Sequence, residues 1–164
     1  MSRLDRASQV GLFVDSRDFR TLFARSSLVE QQLRTTLRRN IRTEGKRIVS
    51  EVQAEAQRGS YKTNRGLRRR IAAGVQLSIS TEARRPGVAI RATPKAMQPG
   101  EGNLVAAWQA RRGWRHPVRG NAEKWVPQIG RPGFFYSTVS RQQPALTRVV
   151  RAAMVEAADS LRKR

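Results

Sequence analysis

Apolar side chains recur at intervals of three and four residues from Ser27 to about Arg58. Ser27 and Glu30 have the spacing of a capping box, and Gly59 follows the last apolar position, so both helix ends are marked. The apolar stripe comprises Val29, Leu33, Leu37, Ile41, Ile48, Val49, Val52 and Ala56. The pattern predicts an amphipathic helix roughly 45 Å long, with a bend or a close helix contact where Gly45 interrupts the stripe.

A second helical pattern occupies the C-terminal part of the chain. It begins at Ser140, with Pro144 in the predicted first turn, and ends in the cations 162–164. Its apolar stripe comprises Leu146, Val149, Val150, Ala153, Met154, Ala157 and Leu161. Both long helices are therefore expected to bury one face in a shared core.

Alternating apolar and polar residues predict strands between these helices. Val75–Ile79 and Val88–Ile90 alternate, and the charged connection Thr81–Gly87 joins them as a β-hairpin. Gln9–Val14 is predicted as a further short strand, followed by a helix that starts at Asp15 or Ser16. For two shorter stretches, Leu67–Ile71 and Leu104–Ala110, the sequence does not distinguish a helix from a strand. The sequence thus predicts an α+β fold.

No helical or strand period fits residues 113–136 (GWRHPVRGNAEKWVPQIGRPGFFY), where half of the aromatic side chains are concentrated. This stretch holds two of the three tryptophans, the only histidine and two adjacent phenylalanines. Glycines, prolines and an asparagine separate its apolar positions, which predicts an irregular segment. Large rings in such a segment must pack beneath it or against a neighbouring subunit.

The composition limits the fold and the partners. At 164 residues we expect one domain: an N-terminal extension (1–25), the long helix (27–58), sheet and loops (67–136) and the C-terminal helix (140–164). A hydrophobic content of 38% is low and the formal charge of +21 is very high, so part of the chain is expected to be ordered only in an assembly or on a polyanion. The chain has no cysteine, no apolar run that would span a bilayer and no apolar signal core, so we expect a protein made and used in solution.

Arginines form the candidate contacts with polyanions. Arg34, Arg38, Arg42 and Arg47 lie opposite the apolar stripe of the long helix, where a solvated face is the common interpretation. A face toward nucleic acid or an acidic partner is the sharper hypothesis, and we assign Arg38 and Arg42 to it. The densest positive cluster is Arg68, Arg69 and Arg70, to which we assign the same role.

Catalytic motifs are absent from the sequence. It has no phosphate-binding glycine loop, no paired-carboxylate spacing and no zinc-protease motif. His116 stands alone, and a histidine before a proline in a turn most often orders its surroundings. We therefore predict a protein that is not an enzyme and that uses no metal or cofactor.

One family resemblance rests on residues 113–135. The string Trp114-Arg115-His116-Pro117-Val118, then Gly120-Asn121, Trp125-Val126 with Gln128, and Arg131-Pro132-Gly133-Phe134-Phe135 resembles the neck, or tail-completion, proteins of long-tailed siphophages, relatives of the lambdoid gpZ-type proteins. The resemblance extends from Leu28 to the C-terminus, including the long basic helix and the stretch Gly66–Ile71. Arg119 departs from the family pattern, which favours an aromatic residue there.

This resemblance implies a structural virion protein. It would form a ring of six subunits in the neck, between the head–tail connector or stopper and the tail terminator or tail tube. Genomic DNA would pass through the channel, and assembly would occur in the host cytoplasm. The residues assigned to contacts between subunits or with neck partners are Trp114, His116, Pro117, Val118, Trp125, Val126, Phe134 and Phe135; for Phe134 and Phe135, packing within the chain is an equal alternative.

Two other functions remain open from the sequence. The charge also suits a nucleoid or RNA-binding module, although an RNA platform would carry aromatic residues on its sheet, and the predicted strands carry aliphatic ones. A small basic ribonuclease would use His116, Arg115 and Tyr136 as its acid–base and phosphate-binding groups. Loss of RNA cleavage in His116→Ala, with the fold intact, would support the ribonuclease.

Overall fold

The computed structural model describes residues 10–14, 31–58, 65–80, 87–118 and 120–162. The described residues combine helices with antiparallel sheets, so the predicted α+β class is confirmed. The helix predicted after Asp15 or Ser16 and the capping box of Ser27 and Glu30 lie outside the described residues.

The long basic helix, α1, spans Gln31–Gln57. Its apolar stripe is buried at Ile41, Ile48, Val52 and Ala56, as the period of three and four residues predicts. Gly45 allows a close approach, but to a strand rather than to a helix. A Cβ atom at Gly45 would lie 2.6 Å from Cδ1 of Leu77.

Three antiparallel strands form the main sheet in the order β1 (Val10–Val14), β3 (Gly87–Ala92), β2 (Val75–Ser80). The predicted hairpin is confirmed as β2 and β3, and the predicted N-terminal strand pairs with the other edge of β3. Both open stretches prove helical: α2 spans Arg65–Ala73 and α3 spans Leu104–Gln109.

The C-terminal helix, α4, spans Tyr136–Arg162 and packs against α1. The prediction of a start at Ser140 is wrong, and Pro144 lies inside the helix rather than in its first turn. The earlier start has a tertiary cause. The side-chain oxygen of Gln109 accepts hydrogen bonds from the backbone amides of Phe135 (3.2 Å) and Tyr136 (3.1 Å), which caps the helix from another element.

Polar contacts also join the two long helices. Arg47 of α1 pairs with Glu44 and Glu51 and donates a 2.6 Å hydrogen bond to Gln142 of α4. Gln142 in turn donates to Glu51 at 2.7 Å. Arg47 therefore belongs to a network within the chain, which explains one of the four arginines on the polar face of α1.

The structure corrects the prediction of an irregular aromatic segment. Strands β4 (Trp114–Val118) and β5 (Asn121–Gln128) form a second, two-stranded antiparallel sheet. The strands lack the usual signal because each contains a proline, Pro117 in β4 and Pro127 in β5, and proline weakens a strand assignment.

Candidate assembly surface

The hairpin of β4 and β5 brings six of the eight residues assigned to interfaces together. Trp114 pairs with Gln128, His116 with Val126, and Pro117 with Trp125, while a register shift precedes Val118. Gly120 has a φ of +79°, which suits the tight turn between the strands. We call residues 114–128 the aromatic arm.

The base of the arm is attached to the core through Trp108. This side chain is fully buried, and its indole nitrogen donates a 3.2 Å hydrogen bond to the carbonyl of Ala56 in α1. The ring of Trp114 lies 5.8 Å from that of Trp108, and Gly130 leaves no room for a side chain beside the Trp108 ring. Because the arm begins and ends against one buried indole, its base is held in a defined position.

The outer part of the arm exposes apolar side chains. Trp125 is 47% exposed and Val126 is 38% exposed, and the adjoining Ile129 is 54% exposed. The indole nitrogen of Trp125 donates a 2.7 Å hydrogen bond to the carbonyl of Ala122, so the ring orientation is already fixed. Beyond the base, the two strands pack mainly against each other. A two-stranded hairpin is marginally stable alone, so this surface is suited to burial against another molecule.

The prolines of the arm limit its pairing with further strands. Both strands of a two-stranded ribbon are edges, and a proline in an edge strand prevents another strand from pairing there. Pro117 and Pro127 place this protection on both sides of the arm. A contact of the arm with another molecule would therefore use its side chains rather than an added strand.

Phe134 and Phe135 do not belong to this surface. Phe134 is 2% exposed and Phe135 is fully buried, and the rings pack edge to face within the core. The prediction that they contact another subunit is wrong for the chain as folded, and the alternative of internal packing holds. Their position follows from the turn at Gly133, which starts α4 and directs both rings inward.

His116 is half-buried on β4, and its Nδ1 donates a 3.1 Å hydrogen bond to the carbonyl of Pro117. No group of three or more histidine, aspartate or glutamate side chains that could hold a metal ion occurs within the described residues. The hydrogen bond from His116 to the Pro117 carbonyl restrains β4 locally, in keeping with the interpretation that His116 orders its surroundings.

The arginines predicted to contact polyanions differ in their exposure. Arg70 is half-buried and forms a bidentate ion pair with Glu101 at 2.8 Å, and Arg68 donates to the carbonyl of Gln57 at 3.1 Å. The prediction for Arg70 is corrected, because its acidic partner lies within the same chain. Arg38, Arg42 and Arg69 are exposed.

Sequence reasoning missed Trp108, Gln109 and Ile129. Trp108 lies in a short apolar run that predicted burial, but nothing local indicated that the arm is built on it. Gln109 acts on backbone amides 26 and 27 residues away, a relation without a sequence signal. Ile129 was visible as an apolar position in the aromatic stretch, yet its exposure depends on the arm's path.

The chain matches no protein-family model, no curated protein and no solved structure. Within the described ranges, no helix combines the length and the apolar character needed to cross a bilayer. Residues 113–135, with their resemblance to neck proteins and the geometry of the arm, are the features of the chain that bear on its function.

Proposed function

We propose that the chain is a structural subunit of the neck of a long-tailed phage. In this role copies form a ring between the head connector and the tail tube, and DNA passes through the channel. The observation that carries the proposal is the aromatic arm, a hairpin anchored at its base that exposes Trp125 and Val126, with Ile129 exposed beside it. Aromatic residues and arginines are enriched in the cores of protein interfaces.

In the proposed ring, the arm makes the contact with another copy and the rest of the chain holds the arm in place. The same stretch that resembles the neck proteins divides into an exposed arm (114–128) and a core anchor at Phe134 and Phe135. An arm that contacts the next copy at a different surface makes a head-to-tail contact, and such contacts form a ring when the rotation between successive copies closes. The charge of +21 would favour positions beside DNA or acidic neck proteins.

A nucleic-acid-binding module is the second candidate, because one observation favours it. Trp125 and Lys124 are both exposed on β5, where an exposed indole suits stacking on an unpaired base and an exposed cation suits a phosphate contact. Such binding would weaken as salt increases, since phosphate contacts release counterions.

Electron microscopy of virions labelled with an antibody to this protein tests the proposal. Label confined to the head–tail junction is the expected result. Virions without label, together with protein recovered on cytoplasmic nucleic acid, would overturn the neck assignment and support the binding module. An unrelated virion protein labelled in parallel serves as the control for access of the antibody.

A further inference from the structure

Strand β2 is an edge of the main sheet, and its hydrogen-bonding pattern identifies the groups that face outward. The amide of Thr93 donates to the carbonyl of Gly74 at 2.9 Å, so this pair is hydrogen-bonded. Bonded and non-bonded pairs alternate along an antiparallel ladder. Gln76 and Ser78 therefore bond to β3, whereas the backbone groups of Val75, Leu77 and Ile79 point away from it.

One of these outward groups already has a partner. The side-chain amide of Gln53 in α1 lies 3.4 Å from the carbonyl of Val75 and donates to it. Among the described residues, β2 pairs with β3 alone, so the outward groups of Leu77 and Ile79 have no strand beside them. Unlike β4 and β5, β2 contains neither a proline nor a charged residue (VQLSIS) and so lacks the usual protection of an edge.

A groove of about 400 Å³ lies between this strand and α1. Its apolar lining includes Val49 of α1 and Leu77 and Ile79 of β2, all half-buried. Arg42 and Lys46, one helical turn apart on α1, complete the wall. Unpaired backbone groups and an apolar lining thus occur along the same strand.

The charge of the groove is not compensated within the described residues. Arg42 and Lys46 are exposed, and the ion pairs made by the acids of α1 are with Arg47, Arg58 and Arg131 instead. The nearest acid in sequence, Glu44, is engaged by Arg47. A ligand of this groove would therefore bind most favourably if it carried negative charge beside α1.

We propose that this groove, the β2 groove, binds an extended acidic segment of another protein by strand addition. The segment would hydrogen-bond to the outward groups of Leu77 and Ile79 and place alternate apolar side chains against Val49. Its carboxylates would face Arg42 and Lys46. Strand addition takes affinity from the backbone and specificity from alternate side chains. The site goes beyond the proposed neck function and does not depend on it, because it is defined by an edge distinct from the aromatic arm.

Duplex DNA suits the groove less well than a peptide. Phosphates would satisfy the two cations, but they present no amide donors to the outward carbonyls and no apolar side chains to the lining. The experiment must therefore distinguish DNA binding from peptide binding.

The experiment measures binding of synthetic peptides to the full chain by fluorescence anisotropy. The probe is a fluorescein-labelled peptide, DDVTVTV, and the control peptide is KKVTVTV. The decisive variant is Ile79→Pro, which removes the outward amide and leaves the ladder to β3 intact. The matched control is Ile79→Ala, which removes the side chain and keeps the amide. Circular dichroism and thermal unfolding establish that both variants fold.

We expect the acidic probe to bind the Ile79→Pro variant at least about fivefold more weakly than the Ile79→Ala variant, since one hydrogen bond and the room beside the strand are lost. Equal affinities in the two variants would overturn strand addition. Failure of the wild-type chain to bind the acidic probe in preference to the lysine peptide would overturn the site altogether.

A charge reversal locates the acidic end of the ligand. Arg42→Glu/Lys46→Glu is expected to exchange the preference, so that the lysine peptide binds more tightly than the acidic one. Arg91→Glu/Lys95→Glu changes the net charge equally at exposed positions outside the groove and should keep the wild-type preference. Equal effects of the two double variants would indicate general electrostatic attraction and overturn the proposal. Duplex DNA that displaces the probe equally well from the wild type and from the Ile79→Pro variant would also overturn the proposal.

Discussion

Trp125→Ala should separate assembly from folding. In the isolated chain, the indole packs on the edge of the arm opposite Pro117 and donates one hydrogen bond to an exposed carbonyl. Because the side chain is 47% exposed, its removal should lower the free energy of unfolding by only about 1 kcal/mol. Phe135→Ala, at a fully buried position, should lower it by about 3–5 kcal/mol.

The effect on assembly follows from the exposed area. A large aromatic side chain presents about 150–250 Å². With 47% of the side chain exposed, about 70–120 Å² is available for burial in a contact. At about 25 cal/mol per Å², this burial stabilises each contact by about 2–3 kcal/mol. Loss of the ring should therefore weaken each contact about 30- to 160-fold.

Two measurements check this prediction. Thermal unfolding of the purified variants gives the effect on folding. Complementation of a phage that lacks the gene, followed by counts of infectious particles and of unjoined heads, gives the effect on assembly. Tyr136→Ala removes an aromatic side chain of similar exposure (53%) outside the arm and should leave joining unchanged. Normal numbers of joined, infectious particles with Trp125→Ala would refute the role of the arm.

Two further predictions concern the anchor of the arm and an ion pair beside it. Gly130→Ala would place a Cβ atom 2.6 Å from the Trp108 ring and should lower the free energy of unfolding by about 1–3 kcal/mol. Gly102→Ala is the control, because its Cβ would meet its nearest neighbour at 3.9 Å, and this variant should be close to neutral. Urea unfolding of both variants measures the two free energies, and equal effects would contradict the prediction. The Arg131 guanidinium, which donates hydrogen bonds to Glu55, lowers the pKa of that carboxyl below its ordinary value of 4.5. Glu55 therefore contributes stability above about pH 4.5, and that stability is lost as the pH falls through the lowered pKa of the folded state. From pH 6 to about pH 3, the melting temperature of the Glu55→Gln variant should fall less than that of the wild type. Parallel plots of melting temperature against pH for the two proteins would contradict the stabilising role of Glu55.

The sequence by itself determined the elements whose signal is local. The stripe ending at Val52 and Ala56 specifies α1 because residues three and four apart share one helix face. The alternation at Val75, Leu77 and Ile79 specifies β2 because successive side chains of a strand point to opposite faces. These periods predicted the α+β class without any knowledge of partners.

The candidate site was only partly visible in the sequence. The concentration of tryptophans identified residues 113–136 as the stretch of interest, and the structure brings six of the predicted residues into one arm. Only the tertiary structure divided this stretch, exposing Trp125 while burying Phe134 and Phe135. The division depends on a turn at Gly133 and on space within a core formed by distant helices.

Long-range polar contacts account for the remaining differences. Gln109 caps α4 from another helix, so the helix begins at Tyr136 rather than at Ser140. Arg70 pairs with Glu101, 31 residues further along the chain, which removes one arginine from the predicted polyanion contacts. A local pattern records which face of an element is apolar, but which polar groups meet depends on how the elements pack, and only the folded chain determines that packing.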